Sequence, residues 1–133
     1  MSHEYAAEWI RKAEADKLAA EVCFKLARRQ SGQAEIACFH AQQCAEKHLK
    51  ALLAQAGKTV PRTHDLIVLG NMAKAADLRL SVNPKDLFLL NAHAVDIRYP
   101  GATAGVKEAR RAVGAMNRIR RICRNLQTAR STA

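Results

Sequence analysis

No stretch of this sequence is apolar enough to span a membrane. Every apolar run falls short of the roughly 20 residues that a bilayer requires, and the first segment, MSHEYAAEWIRKAE, carries charges throughout. Neither a leader peptide nor an anchor is therefore expected. With 133 residues, the chain has the length of one domain with its own core. We expect a single soluble domain spanning residues 1–133, located in the cytoplasm and without membrane contact.

Paired cysteines are also missing. Four cysteines stand singly in alanine- and leucine-rich windows: Cys23, Cys38, Cys44 and Cys123. This spacing favours buried thiols in a reducing compartment over a disulfide or zinc framework. His40, Cys44 and His48 recur every four residues, but three donors along one helix leave a tetrahedral zinc site incomplete. No metal and no cofactor are predicted.

Strand-forming residues are sparse, and Ala, Leu, Lys, Arg, Gln and Glu dominate, which indicates an all-α fold. We expect an up-and-down bundle of four to five antiparallel helices. Their predicted bounds lie near residues 4–29, 33–56, 64–77, 84–97 and 103–128. Gly57 is expected to close the second helix, Thr63 to cap the third and Asn83 to cap the fourth. Small residues on the second helix predict close pairing with the first.

Recognisable catalytic motifs are absent. The sequence has no Ser/His/Asp arrangement with a nucleophile elbow, no GxxxxGKS/T loop and no HExxH. Ordinary hydrolase and nucleotide-triphosphatase functions therefore lose their support.

Acidic residues are outnumbered, with 12 Asp and Glu against 22 Lys and Arg, for a net charge of +10. Such a balance attracts polyanions, although aromatics at 5% supply few base-stacking platforms. Much of the excess falls on one face of the last helix, where Glu108 alone opposes it. We expect this face either to be solvated or to contact nucleic-acid phosphates without reading bases. Its residues are Lys107, Arg110, Arg111, Arg118, Arg121 and Arg124.

Polar residues interrupt the apolar faces of the first two helices. Asp16 breaks the stripe of the first helix, and Gln43, Glu46 and Lys50 form a second stripe on the second. Glu46 could simply form helix-surface pairs with its neighbours. Alternatively, it could accept from a guanidinium delivered by another helix, and Arg98 is the candidate because arginine presents a planar fork. Spacing alone leaves both interpretations open.

Four segments, AEWIRKAEADKLAA, CFHAQQCAEKHLKALL, PRTHDLIVLG and DIRYPG, resemble the HEPN family in their order and spacing. These small helical domains are named for their occurrence in prokaryotes and higher eukaryotes and for presumed nucleotide binding. The resemblance covers nearly the whole chain. It implies a bundle of four to five helices, a homodimer, and a small nucleotidyltransferase as the partner in a toxin–antitoxin-like two-gene module. The family-like positions are Trp9, Asp16, Gln43, Glu46, Lys47, Lys50, His64, Asp65, Leu66, Arg98, Tyr99 and Pro100.

Many HEPN relatives are ribonucleases with an arginine followed, four to six residues later, by a histidine. The resemblance implies that the imidazole transfers a proton while the guanidinium stabilises the pentacovalent phosphate. No histidine follows Arg98 in this chain, so the signature is absent. His93 precedes Arg98, but a helix would place their side chains about 140° apart around its axis.

We therefore predict a noncatalytic HEPN-type module that binds a nucleotide or another phosphate-bearing ligand and partners a nucleotidyltransferase. Two alternatives stay open: a degenerate ribonuclease using Arg98 with His93 as a nonstandard base, and an RNA or protein adaptor acting through the basic last helix. Arg98 is expected to hold a buried carboxylate or to clamp a phosphate. The predicted ligand contacts are Asp16, Gln43, Glu46, Lys50, Arg98 and Tyr99.

Overall fold

The computed structural model describes residues 2–77, 79–94 and 103–132, and these residues contain helices but no strand. The all-α class is therefore confirmed. The helices are α1 (Ser2–Leu26), α2 (Gln33–Gln55), α3 (Leu66–Ala76), α4 (Pro84–Asn91) and α5 (Val106–Thr132).

Two helix ends follow the local chemistry that the sequence predicts. Gly57 adopts a φ of 72°, a conformation that glycine reaches without strain, and the Lys58 amide donates to the Leu53 carbonyl at 2.9 Å. This turn closes α2. Asn83 caps α4 by accepting from the Lys85 amide at 2.9 Å, and Pro84 occupies the first helical position.

The predicted end of the fourth helix, near residue 97, is wrong. Helix α4 stops at Asn91, where the His93 amide turns back to the Leu90 carbonyl at 2.9 Å. The Asn91 side chain accepts from the Leu66 amide and donates to Asp65. A tertiary contact with the start of α3 therefore fixes this helix end.

The predicted cap of the third helix is also wrong by two residues. Asp65 caps α3 by accepting from the Ile67 amide at 2.9 Å and the Val68 amide at 3.4 Å. The hydroxyl of Thr63 instead accepts from the Asp65 amide at 3.1 Å. Both residues suit a cap, and Asn91 secures Asp65 in that role.

Small side chains set the arrangement of the long helices. The predicted antiparallel hairpin of α1 and α2 is present, and fully buried alanines such as Ala13, Ala20 and Ala41 lie along it. Helix α5 packs on another side of α2 and runs in the same direction. Helices α3 and α4 pack against α2 and cover the remaining side of the core. The largest fully buried apolar side chains are Leu49, Leu53, Leu66, Leu69, Leu90, Met116 and Ile119.

None of the helices that the structure describes combines the length and the apolar character needed to cross a membrane. The four cysteines are free, as predicted: Cys38, Cys44 and Cys123 are buried and Cys23 is half-buried.

Candidate functional site

A buried ion pair on α2 forms the base of the candidate site. Glu46 and Lys50 lie one turn apart, their side chains are 4% and 5% exposed, and Lys50 Nζ lies 3.0 Å from Glu46 Oε2. The amide nitrogen of Gln42 donates to Glu46 Oε1 at 3.2 Å. Burying a carboxylate and an ammonium is costly unless each finds a partner. The interpretation of Glu46 as a member of a surface pair is therefore wrong, because the pair is inside.

His64 joins this pair from the loop between α2 and α3. Its Nδ1 lies 3.0 Å from Glu46 Oε1 and 3.2 Å from Oε2. Because a carboxylate only accepts, Nδ1 carries the hydrogen, and Nε2 is left on a side chain that is 57% exposed. Gln42 also donates to the His64 carbonyl at 3.2 Å. We call Gln42, Glu46, Lys50 and His64 the Glu46 cluster.

Aromatic side chains of α1 border the Glu46 cluster. Lys50 Nζ lies 5.4 Å from the centroid of the Trp9 ring, within the range of a cation–π contact. Trp9 meets Tyr5 edge to face at 6.1 Å, and Tyr5 is half exposed. The indole nitrogen of Trp9 is buried and has no hydrogen-bond partner within the described part of the chain.

A second carboxylate, Asp16 of α1, is held by the same helix α2. His40 Nδ1 lies 2.8 Å from Asp16 Oδ1, and Lys47 donates to Oδ2. The Asp16 side chain is 11% exposed and those of His40 and Lys47 are 29% and 22% exposed. This contact ties α1 to α2.

The structure brings only part of the predicted site together. Glu46 and Lys50 are in contact, and Gln43 borders them by donating to the Gln42 side chain at 2.7 Å. Asp16 belongs to the separate tie just described. Arg98 and Tyr99 lie outside the described residues. Among the described residues, both carboxylates are partnered by a lysine and a histidine, and Glu46 also accepts from Gln42.

Sequence reasoning missed Gln42 and His64 as members of the site. Gln42 has a signal, since residues 42, 46 and 50 recur at helical spacing. His64 is among the HEPN-like positions, but by its place in the sequence a residue just before a helix is most simply interpreted as part of the helix start. Only the path of the loop after α2 brings its ring to Glu46.

The chain is similar to known proteins both in sequence and in fold. The HEPN domain model matches residues 6–126. The chain belongs to the HEPN domain family. A crystal structure of TT1696 from Thermus thermophilus is similar, with a TM-score of 0.69 and 26% identity over 90% of this chain and 96% of that chain. No curated protein matches the sequence. Membership of this family places the chain among nucleotide- and RNA-related modules.

The HEPN domain has another polar network where α1, α2 and α5 meet. Arg120 donates two hydrogen bonds to Glu14, of 2.7 and 2.6 Å, and these bonds lower the pKa of Glu14. His48 is fully buried, and burial lowers its pKa to about 4 although Glu14 opposes this shift. Gln127 donates to His48 Nδ1 at 3.2 Å. His48 is therefore a neutral core residue.

The donors considered for zinc do not converge in the HEPN domain. His40 is held by Asp16 on one side of α2, whereas His48 is held by Gln127 on another. Residues 2–77, 79–94 and 103–132 contain no group of three or more His, Cys, Asp or Glu side chains that could hold a metal ion.

The basic face of α5 divides into paired and unpaired residues. Arg118 makes two hydrogen bonds to Asp86, of 3.0 and 2.9 Å. Arg124 donates to Gln127 at 2.8 Å and approaches Glu14 at 3.8 Å. Acidic residues of other helices thus offset more of this charge than Glu108 does alone. Four exposed residues of this face have no ion pair with any described residue: Lys107, Arg110, Arg111 and Arg121.

His93, the nonstandard base of the ribonuclease alternative, is half-buried in the turn that follows α4. Its partner in that alternative, Arg98, lies outside the described residues. Because α4 ends at Asn91, the separation of about 140° that was predicted for two residues on one helix does not apply to His93. The position of Arg98 relative to His93 stays a prediction.

Proposed function

We propose that this HEPN domain is a noncatalytic module that binds a nucleotide or another phosphate-bearing ligand and acts with a separately encoded nucleotidyltransferase. The Glu46 cluster carries the ligand part of the proposal, because a buried and partnered carboxylate there holds an exposed imidazole. Such carboxylate–imidazole pairs fix the tautomer and the direction of the ring. The sequence supports the noncatalytic part, since it lacks the ribonuclease signature.

The charge around the cluster favours an anionic ligand. Residues 47–64 contain four Lys or Arg residues but no Asp or Glu, and of the four, Lys58 and Arg62 have no ion pair with any described residue, whereas Lys47 and Lys50 are paired with Asp16 and Glu46. Glu46 itself is neutralised by Lys50 at 3.0 Å. Lys58 and Arg62 favour an anion at this surface, and the carboxylate next to His64, that of Asp65, already accepts from Asn91 and from two amides of α3.

Calorimetric titration with ATP, GTP and AMP tests the ligand part. We expect at least one of them to bind with a Kd below the millimolar range. The matched pair of variants is Lys50→Met, which removes the buried ammonium but keeps its apolar stem, and Arg79→Gln, which alters an exposed arginine paired with Asp77 at the end of α3. Lys50→Met should weaken binding and Arg79→Gln should not. Absence of binding by all three nucleotides would remove this part of the proposal.

The partner part rests on the family and on exposed apolar surface. Leu18 and Val22 lie one turn apart on α1 and are 64% and 47% exposed, so a second protein that contacts this side of α1 would bury both. We propose that this surface takes part in homodimer formation and in binding a nucleotidyltransferase. A tagged pull-down from the native cells, with mass spectrometry, should recover the partner in stoichiometric amount. Recovery of RNA alone would contradict this part.

A second function, contact with RNA through α5, is favoured by one specific observation. Lys107, Arg110, Arg111 and Arg121 have no ion pair within the part of the chain that the structure describes, and they form a stripe about 21 Å long. If all four neutralise phosphates of single-stranded RNA, the logarithm of affinity should fall with the logarithm of salt at a slope of about −3. Arg121→Gln should reduce that slope by about 0.7.

A charge-neutral control sharpens the RNA test. The double change Asp86→Asn with Arg118→Gln removes one cation together with its bound anion, so the slope should stay the same. A flat salt dependence in the unmodified protein would rule out this function.

Incubation with structured and unstructured RNA tests the ribonuclease alternative. We expect no cleavage. Cleavage that is lost in both Arg98→Ala and His93→Ala would contradict the noncatalytic proposal, whereas cleavage that survives in both points to a contaminating nuclease.

A further inference from the structure

We propose that His64 is the solvent-facing contact of a phosphate-binding site and that Glu46 is its positioning residue. This inference rests on the proposed function, which supplies the ligand. It adds the side chain that contacts the phosphate. The shared ligand chemistry is a phosphate monoester or free phosphate. None of the residues predicted from sequence as ligand contacts includes His64.

Three contacts hold His64 in place, one at the ring and two along the backbone. Glu46 holds Nδ1 with both carboxylate oxygens, at 3.0 and 3.2 Å. Gln42 holds the His64 carbonyl at 3.2 Å. The next residue, Asp65, is held by the side chain of Asn91 at 3.0 Å. A ligand that contacts Nε2 therefore pays little for ordering the side chain.

The base of the cluster keeps Glu46 from repelling an anion. Lys50 lies at 3.0 Å from one carboxylate oxygen, and Gln42 lies at 3.2 Å from the other. In the imidazolium form both ring nitrogens donate, Nδ1–H to Glu46 and Nε2–H to a phosphate oxygen, so that the positive charge faces the ligand. Glu46 remains on the opposite edge of the ring.

The start of α3, the alternative place for a phosphate, has no free amides to offer. The Ile67 and Val68 amides donate to Asp65 Oδ1, and the Leu66 amide donates to Asn91 Oδ1. These are the groups with which a helix start usually binds phosphate. Because they are already paired, the available donor to a phosphate is Nε2–H of His64 in its imidazolium form.

His40 provides a matched control for His64. Its Nδ1 is also held by a carboxylate, at 2.8 Å from Asp16, but its side chain is 29% exposed against 57% for His64. The two histidines therefore share the orienting contact and differ in access to Nε2. If a ligand shifts the signals of His64 and not those of His40, the shift depends on the exposed ring of His64. It is then not a property of every imidazole held by a carboxylate.

The experiment is a titration of the full chain. Binding is monitored through the imidazole ¹⁵N signals and through the fluorescence of the single tryptophan, Trp9. The probes are inorganic phosphate, AMP and adenosine. We expect phosphate and AMP to shift the Nε2 signal of His64 and to leave that of His40 unchanged. Adenosine should shift neither. His64→Gln should weaken AMP binding at least about tenfold, equivalent to about 1.4 kcal/mol, while His40→Gln should leave it within about twofold.

Glu46→Gln tests the positioning role separately. It should weaken AMP binding and give His64 a mixture of tautomers, because a carboxamide can donate as well as accept. An unchanged tautomer with unchanged affinity would overturn the role of Glu46. If this variant unfolds, His64→Gln, checked for an unchanged melting temperature, decides the phosphate contact.

Each remaining outcome separates this inference from the proposed function. AMP binding that is unchanged in His64→Gln would overturn the contact and leave the proposed function standing. Binding of adenosine as tight as that of AMP would overturn the phosphate chemistry. Failure of phosphate, AMP, ATP and GTP to bind would overturn both.

Discussion

Two histidines of this HEPN domain, His64 and His48, have the same side chain and opposite surroundings. Both contact a glutamate and a glutamine. His64 is held at Nδ1 by Glu46 and exposes 57% of its side chain. His48 is fully buried, accepts from Gln127 at Nδ1, and faces Glu14 at 3.6 Å.

The difference lies in what the second nitrogen can reach. In His64, the carboxylate occupies one edge of the ring and leaves the other for a ligand. In His48, both edges face protein, and burial lowers the pKa to about 4. A histidine beside a carboxylate is therefore a candidate for function only when its other nitrogen is accessible.

The largest expected effect tests whether the Glu46 cluster is also structural. Glu46→Ala leaves Lys50 buried without its carboxylate, so we expect the free energy of unfolding to fall by about 3–5 kcal/mol. Urea denaturation measures it. Glu46→Gln keeps one acceptor oxygen where the carboxylate has two and leaves no charged group without an acceptor, so it should cost less than Glu46→Ala. A loss below about 1 kcal/mol in Glu46→Ala would show that Lys50 rehydrates easily.

The next effect is acid destabilisation through His48. Its pKa is lowered from the ordinary 6.5 to about 4, so the unfolded chain binds the proton more tightly. This contribution is full above pH 6.5 and is lost as the pH falls towards about 4, to an extent on the order of 3 kcal/mol. Thermal melts across this range measure it, with His48→Gln as the control that should remove this part of the slope.

Glu14 acts in the same direction at lower pH. Hydrogen bonds from Arg120 lower its pKa below the ordinary value of 4.5, so its contribution is present above that value and is lost as the pH falls further. A steep loss confined to pH values below 4.5 would assign the acid sensitivity to Glu14 rather than to His48.

Asp16 gives an intermediate case between the two histidine environments. In Asp16→Ala, His40 and Lys47 lose their acceptor, but their side chains are 29% and 22% exposed and can hydrate. We expect a loss of about 1–2 kcal/mol in chemical denaturation. A loss as large as that of Glu46→Ala would mean that exposure does not set the cost.

The smallest expected effect is that of His64→Ala. Because the ring is mostly exposed and Glu46 keeps Lys50 and Gln42, the free energy of unfolding should change by about 1 kcal/mol or less. The same denaturation series measures it. A larger loss would make His64 a structural residue and weaken the contrast with His48.

Helix class and two of the caps could be predicted because they depend on neighbouring residues. Asn83 with Pro84, and Gly57 after the second helix, act through bonds a few residues away. The end of α4 could not be predicted, since Asn91 fixes it through a contact with α3. Thr63 and Asp65 suit a cap equally well in sequence, and the same asparagine distinguishes them.

The candidate site follows the same division. Glu46 and Lys50 could be found because polar residues at helical spacing beside an apolar face need partners. The resemblance includes His64 among the family-like positions, but its contact with Glu46 could not be predicted, because the path of the loop after α2 decides it. The prediction for Arg98 and Tyr99 stays untested by the described residues.

The buried thiols have a practical consequence for labelling. Burial raises the pKa of Cys38 and Cys123 to about 12 and raises that of Cys44 further, so none of them offers a reactive thiolate near neutral pH. Cys23 is the one half-buried cysteine of the four. Burial raises the pKa of its thiol less than it raises the pKa of the other three. Replacing Cys23 with alanine would leave the folded protein unreactive to maleimides, so that a cysteine introduced on the surface becomes a unique attachment point for a dye or a spin probe.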